Sequence, residues 1–189
     1  MAEITLPTST NTVNKGNQVR PVWYTFFSRI FDLLLGSFET FPSGVLYINN
    51  TTTGNIGAGI DTIANFDFAT NTLDNNGDLI EIEAWGNFAS KNNNKNIDVK
   101  FGSTTILTTG ALAFNNTLWK LNIKISKKDD SSQEIFAHFT SNFLLEKIIT
   151  INTTSEDITG AISFKIDSTG VSDNDIENRL IKINLTSNF

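Results

Sequence analysis

The chain has 189 residues, a formal net charge of -6 and no cysteine. That length fits one domain with an appendage. The acidic balance argues against nucleic acid, which wants a basic footprint, and against charge-driven binding to anionic lipid. Absent cysteine removes disulfides, thiolate metal sites and cysteine nucleophiles, and a single histidine, His138, removes His-rich metal sites and most acid–base triads.

Residues 1–21 read as an extended N-terminal arm. Thr, Ser and Asn dominate, Pro7 interrupts, and so polar a segment orders only against a partner. No early basic cluster precedes an apolar run, so this leader is not expected to be a secretory signal. The sequons beginning at Asn50, Asn115 and Asn152 then read as Asn- and Thr-rich loops.

Residues 22–36 are predicted to form a short amphipathic helix. Pro21 stands where a first helical residue often does, and Gly36 where a helix stops. Trp23, Phe26, Phe27, Ile30 and Leu34 recur at spacings of three and four, and Phe31 widens the stripe. A helix over 22–35 rises about 21 Å against about 30 Å of hydrocarbon, and carries Arg29 and Asp32 mid-segment, so it is not expected to span a membrane. An interfacial helix would want a basic polar face, and this one offers only Arg20 and Arg29. Beside an interfacial helix, two fates are open, packing on its own β domain or self-association. Burying the stripe gains on the order of 10 kcal/mol per chain before entropy either way. Position favours assembly, because the helix precedes the whole β domain as a stalk does.

From residue 37 onward the pattern is β. Short alternating runs are punctuated by turn residues: GVLYI, IANFDF, LIEIEAW, KNIDVKFG, TTILTTG, LWKLNIKIS, QEIFAHFTSN, EKIITIN, AISFKID and NRLIKINLT. In the third run Ile80, Ile82 and Ala84 oppose Glu81, Glu83 and Trp85, giving one apolar face and one wet face. In the sixth, Leu121, Ile123 and Ile125 oppose Lys120, Asn122 and Lys124. In IANFDF, Ile63, Asn65 and Asp67 are expected on one face, with Ala64, Phe66 and Phe68 on the other. Asn75–Asp78 and Lys127–Ser132 read as turns. Eight to ten strands without an intervening helix predict a single antiparallel sandwich or barrel over 37–189.

Chemistry is sparse. His138 shares its strand face with Phe136 and Thr140, and one histidine without a second ligand seldom binds metal. Glu81 and Glu83 are paired carboxylates of the kind that serve acid–base or glycoside chemistry, but ordinary patterning also puts them on a wet strand face. Ser172 to Asp175, with Glu177, resembles a fragment of a calcium loop but lacks its register, and reads as an Asx turn before the last strand. No nucleophile elbow, P-loop or dinucleotide motif is present, so neither catalysis nor a cofactor or metal is expected. Trp119 and the loop around Asn92–Asn96 are the candidate surface-binding positions, for a glycan if for anything.

The opening LPTSTNTVNKGNQVRPVWYTFFSRIF resembles the start of small virion proteins of tailed bacteriophages, in which a polar leader and a Trp/Phe-rich helix begin the chain. The stretch from NTLDNNGD to LWKLNIKI is similar to the β domain of such proteins. The matching positions are Asn76, Gly77, Asp78, Trp85, Gly86, Phe101, Gly102 and Trp119. GVSDNDIENRLIKINL resembles their closing turn and strand. The resemblance implies a jelly-roll-like β domain and a homotrimer on a virion, as a capsid decoration, cement or head-fibre protein. It implies the major capsid protein or a tail protein as partner, and supplies no catalytic residue. The alternative is a tail-fibre or receptor-binding module that contacts a host surface glycan.

Overall fold

The computed structural model describes residues 44–188 apart from 112, 114, 130, 142–144 and 155; for 145–154 it describes the backbone. The expected arm over 1–21 and helix over 22–36, with Trp23, Phe26, Phe27, Ile30, Phe31 and Leu34, lie outside the described residues.

Among the described residues the chain forms strands and turns without a helix. The strands are β1 (Gly44–Asn49), β2 (Thr53–Gly54), β3 (Gly59–Phe68), β4 (Leu79–Phe88), β5 (Asn96–Phe101), β6 (Thr104–Thr108), β7 (Thr117–Asp129), β8 (Ser132–Ser141), β9 (Leu145–Thr154), β10 (Ile162–Gly170) and β11 (Ile176–Thr186). Ten of them coincide with the alternating runs; β2 is too short for a periodic signal. They pair antiparallel into two sheets. Sheet A runs β1-β11-β4-β7-β8-β9, with β2 also paired to β11; sheet B runs β3-β10-β5-β6.

The period-two pattern sets the core. Ile80, Ile82, Ala84, Leu121, Ile123, Ile125, Ile135, Ala137, Phe139, Ile181 and Ile183 bury one face of sheet A. Ile97, Val99, Phe101, Phe164 and Ile166 bury one face of sheet B, and the two sets form one cluster. Each fully buried side chain of this size contributes about 1.5–3 kcal/mol. Tyr47 of β1 meets Phe66 of β3 at 5.0 Å between ring centroids, and Phe66 meets Phe68 at 4.8 Å, so aromatics join the two sheets along that side.

One facing expectation is corrected. Ile63 is buried with Phe68, although it has the parity of exposed Asn65 and Asp67. The register jumps there: Ile166 pairs with Ala64 and Asp167 with Thr62, so Ile63 is an extra, bulged residue turned into the core.

The sandwich has two ends. At the first lie the loop over 69–78, the β7–β8 turn, the segment after β9 and Gly44, which pairs with Leu185 near the close of β11. At the second lie the loops over 50–58, 89–95, 109–116 and 171–175. They are called here the Asp78 end and the Asp175 end.

Candidate functional site

At the Asp175 end three loops are clasped by buried polar side chains. Asn55 donates from Nδ2 to the carbonyls of Gly57 (3.0 Å) and Ser172 (2.9 Å), and accepts from the Ile176 amide at 2.9 Å. Asp173 accepts from the Gly57 amide at 2.5 Å. Asp175, 0% exposed, accepts at Oδ2 from the amides of Val171 (2.9 Å) and Ser172 (2.8 Å) and from Asn93 Nδ2 (2.8 Å). This is the expected Asx turn, closed from the side by a second loop. Lys95, also 0% exposed, donates from Nζ to the carbonyls of Lys91 (2.5 Å) and Asn93 (3.3 Å) and to Asn93 Oδ1 (2.8 Å). An internal ammonium thus stands beside the carboxylates that resembled part of a calcium loop. Burial pulls the Lys95 pKa below the lysine norm; Asp175 opposes the shift and Lys91 adds to it. Burial alone would raise the Asp175 pKa, but two backbone amides, Lys95 and Lys91 outweigh it, so the carboxyl sits below its usual value.

The loop around Asn92–Asn96 is therefore occupied with holding itself together. Asn93 serves Lys95 and Asp175, and Asn96 donates to Asp98 (2.8 Å) while accepting from Thr109 (3.0 Å). Among the described residues no group of His, Asp and Glu is arranged to hold a metal ion.

The outer face of sheet A carries the other candidates. Glu81 and Glu83 do share it, as expected, but each is bound to a lysine across the strand pair: Lys124 Nζ at 2.8 Å from Glu81, and Lys120 Nζ at 2.6 Å from Glu83. His138 lies on the same face beside Phe136, with 6.5 Å between ring centroids.

Trp119 overturns its expectation. It is 1% exposed, points into the sandwich and stacks near Phe139 at 6.4 Å, so it offers no surface platform. Its indole lies against Gly86, where a Cβ would come 2.6 Å from Trp119 Cζ2 and would collide with the Glu177 carbonyl oxygen. The exposed tryptophan is Trp85, at 40%. The signal was in the alternation: Trp119 has the parity of Leu121 and Ile123, and Trp85 that of Glu81 and Glu83.

Around Trp85 the face sinks into a shallow depression. Trp85, Leu118, Lys120 and Thr140 line it, and Gly86 and Trp119 form its floor. Trp85 pairs with Lys120 on one side and Leu180 on the other. The register of β11 slips between Asn178 and Leu180, leaving Arg179 as a bulge beside the indole, with its guanidinium 3.3 Å from Glu177. Beneath and beside the depression lie polar atoms that are buried without a hydrogen-bond partner among the described residues: Trp119 Nε1, Ser141 Oγ, Asn178 Oδ1 and Asn87 Oδ1. Asn178, Gly86, Trp119 and Ser141 form one rung across β11, β4, β7 and β8.

No family model and no curated protein matches the chain. Among solved structures it is similar to the CBM2 module of the evolved Dit of Lactobacillus casei BL23 phage J-1, at 8% identity and a TM-score of 0.45, over 78% of this chain and 98% of that one. It is also similar to peanut lectin with a nine-residue peptide, at 8% identity and a TM-score of 0.42, over 74% of this chain and 96% of that one.

Proposed function

We propose that this chain is a structural protein of a tailed-bacteriophage virion. It serves as a homotrimeric capsid decoration, cement or head-fibre protein whose sandwich faces solvent. Residues 1–21 and the stripe of Trp23, Phe26, Phe27, Ile30, Phe31 and Leu34 attach it to the major capsid protein or a tail protein and hold the trimer together.

The observation that carries this reading is the strand order. The path β1-β11-β4-β7 faces β3-β10-β5-β6, with the β8–β9 hairpin appended at one edge. Strands from the start and the close of the domain lie side by side in both sheets, which supports a jelly-roll arrangement, the double-sheet form common in viral capsid domains. The sequence resemblance to small virion proteins points the same way. So does the use made of the acidic groups. Glu81 and Glu83 are neutralised by lysines, and Asp173 and Asp175 tie loops, so the reading assigns no catalytic role.

The test is solution mass by light scattering for the full chain and for residues 37–189, together with co-sedimentation with particles of the encoding phage. A full-length trimer that falls to monomer on truncation, and that pellets with virions, is the expected result. A stable full-length monomer that stays in the supernatant overturns the reading.

A further inference from the structure

We propose that the depression around Trp85 binds neutral carbohydrate, with one pyranose ring stacked on the indole. The inference goes beyond the virion reading and does not depend on it, since such a site would serve a decoration protein and a receptor-binding module alike.

Four observations converge on the site. First, β4 lies in the interior of sheet A, between β11 and β7. Trp85 is thus held by paired backbone on both sides, with its ring displayed on a rigid sheet. An exposed aromatic face on a fixed support suits the C–H face of a sugar and loses little conformational entropy on binding. Second, two ion pairs lie on the same face near Trp85: Lys120 with Glu83 at 2.6 Å and Arg179 with Glu177 at 3.3 Å. Such a rim offers donors and acceptors, joined by the Thr140 hydroxyl. A polyhydroxylated neutral ligand can bond to both members of a pair, whereas an ion meets attraction and repulsion together.

Third, size argues against a macromolecular partner. A stable protein interface buries about 800 Å² on each side, and among the described residues the exposed apolar side chains lining this depression are Trp85 and Leu118. One ring and a few hydroxyls fit that footprint. Fourth, the site sits over the rung whose buried polar atoms have no hydrogen-bond partner among the described residues, and beside the Arg179 bulge. Departures of both kinds are rare in a well-packed sandwich and gather where a surface is shaped for use.

The experiment titrates the full-length protein with four neutral hexasaccharides, namely cellohexaose, maltohexaose, mannohexaose and hexa-N-acetylchitohexaose, by isothermal titration calorimetry. The expected result is saturable heat with at least one of them. Trp85→Ala weakens that binding at least about tenfold, and Trp85→Phe, which keeps a stacking face, stays within a few-fold. Far-ultraviolet circular dichroism and the melting temperature establish that both variants fold. A flat response to all four sugars overturns the proposal, as does undiminished binding by Trp85→Ala. Loss of oligomer mass in Trp85→Ala without any sugar response would overturn it too, and would assign the face to contact between copies.

Discussion

The two ends of the sandwich solve one problem in different ways. Both must close a layer of apolar side chains with loops, and both use buried charged groups to do so. At the Asp78 end no buried side-chain polar atom among the described residues lacks a hydrogen-bond partner. Asp78 accepts from the amides of Asn75 (2.8 Å) and Asn188 (2.7 Å), and Lys127 Nζ donates to the Asp74 carbonyl at 2.8 Å. Gln133 donates to the Glu156 carbonyl at 3.0 Å. Glu156 Oε1 gathers the Ser103 amide and the hydroxyls of Ser103 and Thr104. At the Asp175 end Asn55, Lys95 and Asp175 clasp the loops, yet Asp175 Oδ1 and atoms of the neighbouring rung of sheet A are buried without a hydrogen-bond partner among the described residues. Ile56 and Val171 are exposed in the loops of this end, and Ile60, Trp85 and Leu118 in strands that run to it. The two ends thus differ in how completely their buried polar side chains are bonded.

The sharpest way to break the comparison is to exchange the fates of the two tryptophans. Trp119→Ala should cost about 3–5 kcal/mol, because it empties a core position against Phe139 and Gly86. Trp85→Ala, on the exposed face, should cost under about 1 kcal/mol. Urea unfolding of both variants reads this directly, and equal losses would mean that Trp85 is a packing residue.

Next in size are the clasps. Lys95→Met removes the buried ammonium that bonds the carbonyls of Lys91 and Asn93 and the Asn93 side chain, and should cost about 1–3 kcal/mol. The same measurement on Lys127→Met tests whether the Asp78 end is equally dependent on its buried lysine.

Acid sharpens the comparison further. Glu156 and Asp175 both titrate below their ordinary values. For each, burial acts to raise the pKa and hydrogen bonds prevail, from Thr104 and Ser103 in one case and from Val171 and Ser172 in the other. A depressed folded pKa means stability that is present above the unfolded value, about 4, and lost as pH falls through the folded one. Unfolding free energy should therefore decline below about pH 4. Glu156→Gln and Asp175→Asn should each flatten that decline, and a slope unchanged in both would remove these groups from the acid response. The smallest effect belongs to the outer ladder. Lys124→Ala, which breaks the half-exposed pair with Glu81, should cost under about 0.5 kcal/mol and less still in high salt.

Much of this organisation was legible in advance. The runs Ile80–Ile82–Ala84 and Leu121–Ile123–Ile125 face the core as their period requires, and Gly77 takes a φ of 93° in the turn read at Asn75–Asp78. The candidate site was legible only in part. Tryptophan is a common contact residue, which suggests a surface role for Trp119, but its parity places it inside. Asn92–Asn96 looked like a free polar loop, because nothing local announces that Asn93 will meet Lys95 and Asp175.

Sequence by itself determined the two-faced strands, the turns between them and the poverty of catalytic groups, because these depend on period two and on residue chemistry a few positions apart. Tertiary structure alone decided the bulge that turns Ile63 inward, the burial of Lys95 beside Asp175, and the depression at Trp85. Each of these needs partners distant in the chain: β10 against β3, the loop over 89–95 against that over 171–175, and β7 and β11 flanking β4. A pleat repeats along one strand, but a site is made between strands, and pairing over such separations follows from the closure of the whole sandwich.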